Sequence, residues 1–323
     1  MGSRHEELSL EGVRTLSIRE RKSKVSVEEF GAEPRVGMTV TELVEGLPDI
    51  LSGRDFRTLL GRLEVVVRDG REWIVMMGGH VVKTGVAPSL LPFIGRGWIS
   101  AVGMNGSAAV HDVEIALFGR TSEVVEENLA DGSFGMAAET AAFLNGAADR
   151  AREEGAGFGE VLGRRLEEER APHADRSFLV ACHRAAVPAT VHVALGTDIV
   201  HQHPGASGES IGSASLRDFR ILAARVAALE GGAVLNLGSA VLMPEVFLKA
   251  LTVARNLGHT VEDFVAANFD MIRHYRPLTN VVSRPTRGRG WGAHFTGQHE
   301  ILVPLLGAAL LDRLGDFRSP RLG

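Results

Sequence analysis

Trp73-Ile74-Val75-Met76-Met77-Gly78-Gly79 is the stretch on which the fold turns. A short, wholly apolar run stopped by paired glycines predicts a buried strand entering a tight turn. Beyond it, residues 86–94 predict a helix with Pro88 in its first turn. The same unit follows at once: an apolar run over 98–104, the turn Asn105-Gly106-Ser107, and a helix near 108–117. Further on, residues 189–195 predict a strand leading into Gly196-Thr197-Asp198, then a helix over 213–229. Residues 233–237 predict a strand ending in Gly238-Ser239-Ala240, followed by a helix over 245–256 and a strand over 260–268. Strand, glycine turn and helix in repeated alternation predict the α/β class, a doubly wound, mostly parallel sheet of Rossmann type.

Outward from this pattern, residues 40–51 have helical spacing, and about 131–170 read as an alanine- and charge-rich helical insert. Residues 284–292 read as a basic loop, and 301–314 as a closing helix apolar enough to reach a subunit contact. Residues 1–36, charged and weakly periodic, form a lead-in arm; 37–323 form one domain.

Composition narrows the class. Apolar residues make up 45% of the 323, ample for a large core. The net charge of −5 comes from interspersed acids and bases and leaves no electrostatic footprint for nucleic acid. Cys182 is the single cysteine, so there is neither an internal disulfide nor a thiolate zinc set; following an apolar stretch, it reads as a buried, inert thiol. No apolar run approaches the length of a membrane span, and the first residues lack the order of a signal peptide. The expectation is a cytoplasmic protein acting on a small molecule, away from membranes.

In a doubly wound sheet, ligands sit beyond the carboxyl ends of the strands. The polar residues expected there are Gly79, His80 and Lys83; Asn105, Gly106 and Ser107; Thr197, Asp198, His201 and His203; Gly238, Ser239 and Glu245; and Asn268 and Asp270. No Gly-x-Gly-x-x-Gly follows a strand, so the glycines fit simple turns as well as they fit a nucleotide. His111-Asp112-x-Glu114 reads either as a carboxylate for a ribose hydroxyl or for proton transfer, or as an exposed helix face with Asp112 near the helix N-terminus. His192, alternating with Val191 and Val193, reads as a core histidine. Asp198 with His203 reads as a general acid–base pair; His201-x-His203 beside Asp198 also has the outline of a metal set, without the helical spacing that would support it. Lys83 reads as a surface lysine, a phosphate contact or an imine former. Arg284, Arg287 and Arg289 read as a solvated loop or an anion clamp.

Taken in order, these elements resemble the deoxyhypusine synthase superfamily over roughly residues 72–275. The carriers are 78–86, 105–112, Val187-Pro188 with 196–203, and Leu237-Gly238-Ser239-Ala240-Val241. The resemblance implies a nicotinamide dinucleotide held by the first two elements, an amine-contacting histidine at His203, and a homotetramer. The chain departs from the family where the imine-forming lysine would stand: it has Met243 there, and its nearest lysine is Lys249. His111 replaces one family glutamate, and Ala108 and Ala109 replace paired glycines.

The functional expectation is an NAD-dependent enzyme that oxidises a small amine-bearing metabolite to an imine or carbonyl, followed by transfer, elimination or reduction. Asp198, His203, Lys83 and Glu245 are its candidate catalytic groups. Gly79, His80, Asn105, Gly106, Ser107, Asp112, Gly238, Asn268 and Asp270 are its candidate cofactor contacts. Two other readings stay open: a nucleotide-binding protein without catalysis, and a metal-dependent hydrolase built on His201, His203 and Asp198.

Overall fold

The computed structural model describes residues 4–322. After α1 (Val40–Glu45) and α2 (Leu51–Arg68) come β1 (Trp73–Met77), α3 (Gly79–Lys83), α4 (Ala87–Gly95), β2 (Ala101–Asn105) and α5 (Gly106–Phe118). Helices α6 (Val125–Asp131), α7 (Ala138–Glu154), α8 (Phe158–Glu168) and α9 (Phe178–Arg184) lead to β3 (Ala189–His192). Then follow α10 (Gly208–Ala227), β4 (Ala233–Leu237), α11 (Leu242–Asn256), β5 (Val265–Asp270), α12 (Tyr275–Pro277), β6 (Trp291–Thr296) and α13 (His299–Leu314).

The six strands form one parallel sheet in the order β3-β2-β1-β4-β5-β6. This is the doubly wound Rossmann order, with its switch point between β1 and β4. Strands β1, β3, β4 and β5 are buried along their whole length, as a sheet covered on both faces requires. One face packs α2 to α5, α7 to α9 and α13; the other packs α10 and α11 on Ile74, Met76, Val234 and Ala266.

Several sequence expectations need correction. Residues 40–51 are not one helix: Gly46 closes α1, and Leu51 takes a left-handed φ of 45° where α2 begins. Helix α2 had gone unread, although Phe56, Leu59, Leu60, Leu63, Val66 and Val67 bury one of its faces. Truncating any of those leucines to alanine should cost about 2–5 kcal/mol. The strand over 189–195 ends at His192, and the strand over 260–268 is displaced to Val265–Asp270. The basic loop runs straight into β6, which alternates buried Ala293 and Phe295 with more open neighbours. Helix α13 buries Val303, Leu306, Ala309, Leu310 and Leu314 inside the chain and leaves Ile301 exposed.

The insert is helical, as α7 and α8, and is tied to the sheet. Buried Asp218 of α10 accepts N–H bonds from Gly159 of α8 (3.0 Å) and Val191 of edge strand β3 (2.6 Å) on one oxygen. At the opposite end of the sheet, buried Glu72 is held by Ser100, Arg225 and Arg321, fastening the start of β1 to α10 and the C-terminal segment. The arm is exposed through residue 28; its first three residues lie outside those described. Among the described residues no helix is long and apolar enough to cross a membrane.

Candidate active site

The switch point brings two glycine turns together. A Cβ on Gly78 would stand 2.4 Å from the Gly238 carbonyl oxygen, and Gly238, at φ +63°, packs against His299 and Val81. A Cβ on Gly79 would meet Ser107 Oγ at 2.6 Å and the His111 ring at 2.9 Å. Gly79, Gly106 and Gly238 are therefore required first by the packing of the turns on one another. They set the approach of β1, β2 and β4 and leave the ionisable chemistry to their neighbours.

Asp198 is the most unusual of those neighbours. Its carboxylate rests on the first residue of α5, so that a Cβ on Gly106 would lie 1.8 Å from Asp198 Oδ2. Burial pushes its acidity up to about 6. The histidine beside it is His201, not His203. His201 Nδ1 accepts the N–H groups of Gly196 (3.1 Å) and Asp198 (3.2 Å), which fixes the proton on Nε2, 4.0 Å from Asp198 Oδ2. His203 instead places Nε2 2.8 Å from the Gly135 carbonyl oxygen, and no hydrogen bond or ion pair joins it to Asp198. The expected Asp198–His203 pair is thus replaced by Asp198–His201. The metal reading loses its geometry too: among the described residues no group of three or more His, Cys, Asp or Glu side chains converges as a ligand set.

Asp198 opens onto a cavity of about 260 Å³ lined also by Lys83, Ser107, His111, Glu114, Glu123 and Ile199. His111 has a defined state there. Thr121 donates its hydroxyl proton to Glu114, so it must accept from His111 Nδ1 at 2.7 Å, leaving Nε2 as a bare acceptor. Burial, then the charge of Lys83, pushes His111 down to about 4 and keeps the ring neutral. Thr140 donates to the other Glu114 oxygen at 3.0 Å. Neither link was visible in sequence, because Thr121 and Thr140 come from a loop and a helix with no motif.

Other candidates separate from this group. Asp112 is fully buried and accepts from Ser177 Oγ (2.6 Å), Phe178 N–H (2.9 Å) and Leu179 N–H (3.1 Å). It pins the start of α9, and neither a ribose nor solvent can reach it. Asn105 Oδ1 is engaged as the cap of α5, accepting from Ala108 N–H at 2.9 Å. Glu245 lies across the sheet, paired with Lys249 and Arg276, on a cavity of about 530 Å³ shared with His192, Leu216 and Val241. His192 is buried and pushed down to about 3 by burial, as a core histidine would be. Cys182 is buried, and burial pushes its thiol far above the ordinary range.

At the ends of β4, β5 and β6 lies a polar ladder. Asn236 donates to Asn268 Oδ1 (2.6 Å), Asn268 donates to His294 Nδ1 (2.8 Å), and His294 Nε2 meets Thr296 Oγ1 (3.0 Å). His299 Nε2 faces the Phe269 carbonyl oxygen at 3.2 Å, which leaves its buried Nδ1 without a partner, and its ring centre is 5.3 Å from that of His80. His294 was missed in sequence because it lies on strand β6, and His299 because α13 begins ahead of the helix expected over 301–314.

The sequence matches no protein-family profile and no curated protein. Solved structures do match. Unliganded AgrE superposes with a TM-score of 0.53 at 16% identity, over 82% of this chain and 34% of that one. An LOR/SDH-type protein of Methanococcus maripaludis S2 gives 0.50 at 16% identity, over 91% and 75%. A deoxyhypusine synthase-type protein of Entamoeba histolytica gives 0.47 at 12% identity, over 84% and 93%, an overlap too loose to add to the others. The class defined is therefore a doubly wound, parallel α/β fold of Rossmann type, shared with AgrE and the LOR/SDH-type protein. The chain spans about a third of AgrE.

Proposed function

We propose that this protein is an NAD-dependent enzyme acting on a small amine-bearing metabolite. The observation that carries the reading is the strand order with its switch point between β1 and β4, where Rossmann-type sheets bind dinucleotides, combined with a buried Asp198 at the same carboxyl edge. AgrE, which shares the fold, has been solved with ornithine and NAD+; that supports the reading by analogy of fold alone.

The residues present fit such a cofactor in one place. Gly79 and His80 open α3 beside Gly238, against which the His299 ring of α13 packs, its buried Nδ1 lacking a donor. The N-terminus of α5 is already filled by the Asp198 carboxylate, so phosphate contacts belong to the β1 and β4 turns. When bound, the nicotinamide accepts a hydride from the carbon bearing the amine.

This chain's own groups handle the protons. Burial pushes Asp198 up to about 6, so it is largely ionised at neutral pH and able to accept a proton during the reaction. His201 holds its Nε2–H 4.0 Å from the Asp198 carboxylate, and neutral His111 offers a second acceptor on the same cavity. Lys83 on the rim supplies positive charge. With methionine at position 243, buried in the core, the imine-forming lysine has no counterpart there. A homo-oligomer is part of the proposal and rests on the resemblance.

Calorimetry with NAD and NADP tests the cofactor. A dissociation constant in the micromolar range or tighter, about −8 kcal/mol, is expected. Absence of binding of either nucleotide at millimolar concentration would refute the reading.

A further inference from the structure

We propose that the carboxyl end of β5 is the substrate subsite and that it takes a small zwitterion, with an ammonium group on Asp270 and a carboxylate on Arg273. The proposal rests on the NAD-dependent reading above and names its substrate class.

Asp270 is the last residue of β5 and is 5% exposed. Its Oδ2 is buried with no hydrogen-bond partner, and its Oδ1 has only the Ile272 N–H, at 3.4 Å. A buried carboxylate oxygen with no donor costs on the order of 1–3 kcal/mol or more, which a bound donor would remove. Asn236 Oδ1 and His299 Nδ1 are also buried and unpartnered at the ends of β4 and β5. The amide orientation of Asn236 is fixed, since its nitrogen donates to both Ser239 and Asn268. All three orphans are acceptors. The group missing from this edge is therefore a donor.

The charges select which donor. Asp270 lies between two rings, within electrostatic range of His80 on the β1 side and His294 on the β6 side. Burial lowers both rings, so neither is a standing cation at neutral pH. The loop that folds back over the carboxylate carries Arg273 and His274, which also act on the His294 ring. Among the described residues Arg273 has no ion pair and no hydrogen bond, whereas Arg276 is paired with Glu245 and Arg284 bonds Asn280 and Tyr275. The buried Asp270 carboxyl, with no donor on Oδ2, stands three residues along the chain from Arg273, which is exposed and unpaired. A diamine would leave Arg273 unmatched, and a dicarboxylate would be repelled by Asp270. A molecule with one ammonium and one carboxylate, of amino-acid type, matches both.

The test is calorimetry on the full chain, with and without saturating NAD. The probes are the proteinogenic amino acids and ornithine at millimolar concentration, with putrescine and pentanoate as single-sign controls. At least one amino acid should bind, and putrescine and pentanoate should bind at least tenfold more weakly. Arg273→Gln, on the surface, should weaken the amino acid about tenfold or more and leave NAD affinity unchanged, and Asp270→Asn should weaken the amino acid at least as much. No binding by any amino acid, equal binding by putrescine, or binding indifferent to Arg273→Gln would overturn the proposal. Failure of NAD to bind the wild-type chain sinks the cofactor reading instead, and the titration without NAD still decides the subsite. An N–H donor that came from the nicotinamide carboxamide would show as Asp270→Asn weakening NAD while amino acids fail to bind, which also counts against the zwitterion.

Discussion

Replacing Asp198 by asparagine should make the protein more stable and less active, in a pH-dependent way. Burial pushes the folded-state acidity of Asp198 up to about 6, against about 3.9 for a free aspartate. A carboxyl group raised on folding contributes its stability when protonated. That contribution is complete below about pH 4 and is lost as pH rises through about 6. At pH 8 the ionised, buried group therefore costs about 3 kcal/mol, from about two pH units at 1.36 kcal/mol each. The positive end of α5 beneath it offsets about 0.3–1 kcal/mol. Asp198→Asn should accordingly gain about 2–3 kcal/mol at pH 8, roughly half as much at pH 5, and little at pH 4.

Urea denaturation at pH 4, 5 and 8 on both proteins reads this directly, and the quantity that matters is the trend of the difference with pH. A stabilised variant that has lost turnover is the signature of a residue kept for function at the expense of the fold. Equal or lower stability of Asp198→Asn at pH 8, or a gain that does not vary with pH, would refute the assignment of a carboxylate raised by burial.

The remaining expectations follow from the same geometry. His201→Ala should lower turnover of a bound amino acid by about 10²–10⁴-fold, whereas His203→Ala should change it little; the reverse order would restore the pairing expected from the resemblance. Asp112→Ala should cost roughly 1–3 kcal/mol for each N–H left bare at the start of α9 and leave NAD affinity untouched, so a selective loss of NAD binding would return Asp112 to the cofactor site. At Glu72, burial raises the carboxyl, but the bonds from Ser100, Arg225 and Arg321 together outweigh it and hold it low. Glu72→Gln should therefore cost about 3–5 kcal/mol at pH 7. Because a lowered carboxyl contributes its stability above the unfolded value and loses it as pH falls through the folded one, that deficit should shrink below about pH 4 in chemical denaturation, and a deficit constant with pH would contradict the ion triad.

The parallel sheet was legible because buried strands need unbroken apolar runs and their turns need glycine, and both signals are local. Residues 73–79 and 233–238 carry them plainly. Strand β6 was hidden because Trp291–Thr296 is an edge strand mixing glycine, histidine and threonine with its two buried residues. Which polar residues would gather at the carboxyl edge was legible from chain position, and Asp198, Ser107 and Lys83 do share a cavity. Pairing was not legible. Whether Asp198 meets His201 or His203 depends on a short turn over Ile199–Gln202 that aims one ring back at the aspartate and the next toward Gly135. Asp112 misled because its helical position places it toward the start of α9, some 65 residues downstream, and only the packed structure shows that.

A crystal structure of the full chain grown with NAD tests the central claim most directly. The account predicts the pyrophosphate in the crevice between β1 and β4, within hydrogen-bond distance of the Gly79 and His80 N–H groups, with the nicotinamide toward Asp270 and His299. A dinucleotide seated instead in the cavity between α10 and α11, beside His192 and Glu245, would contradict it.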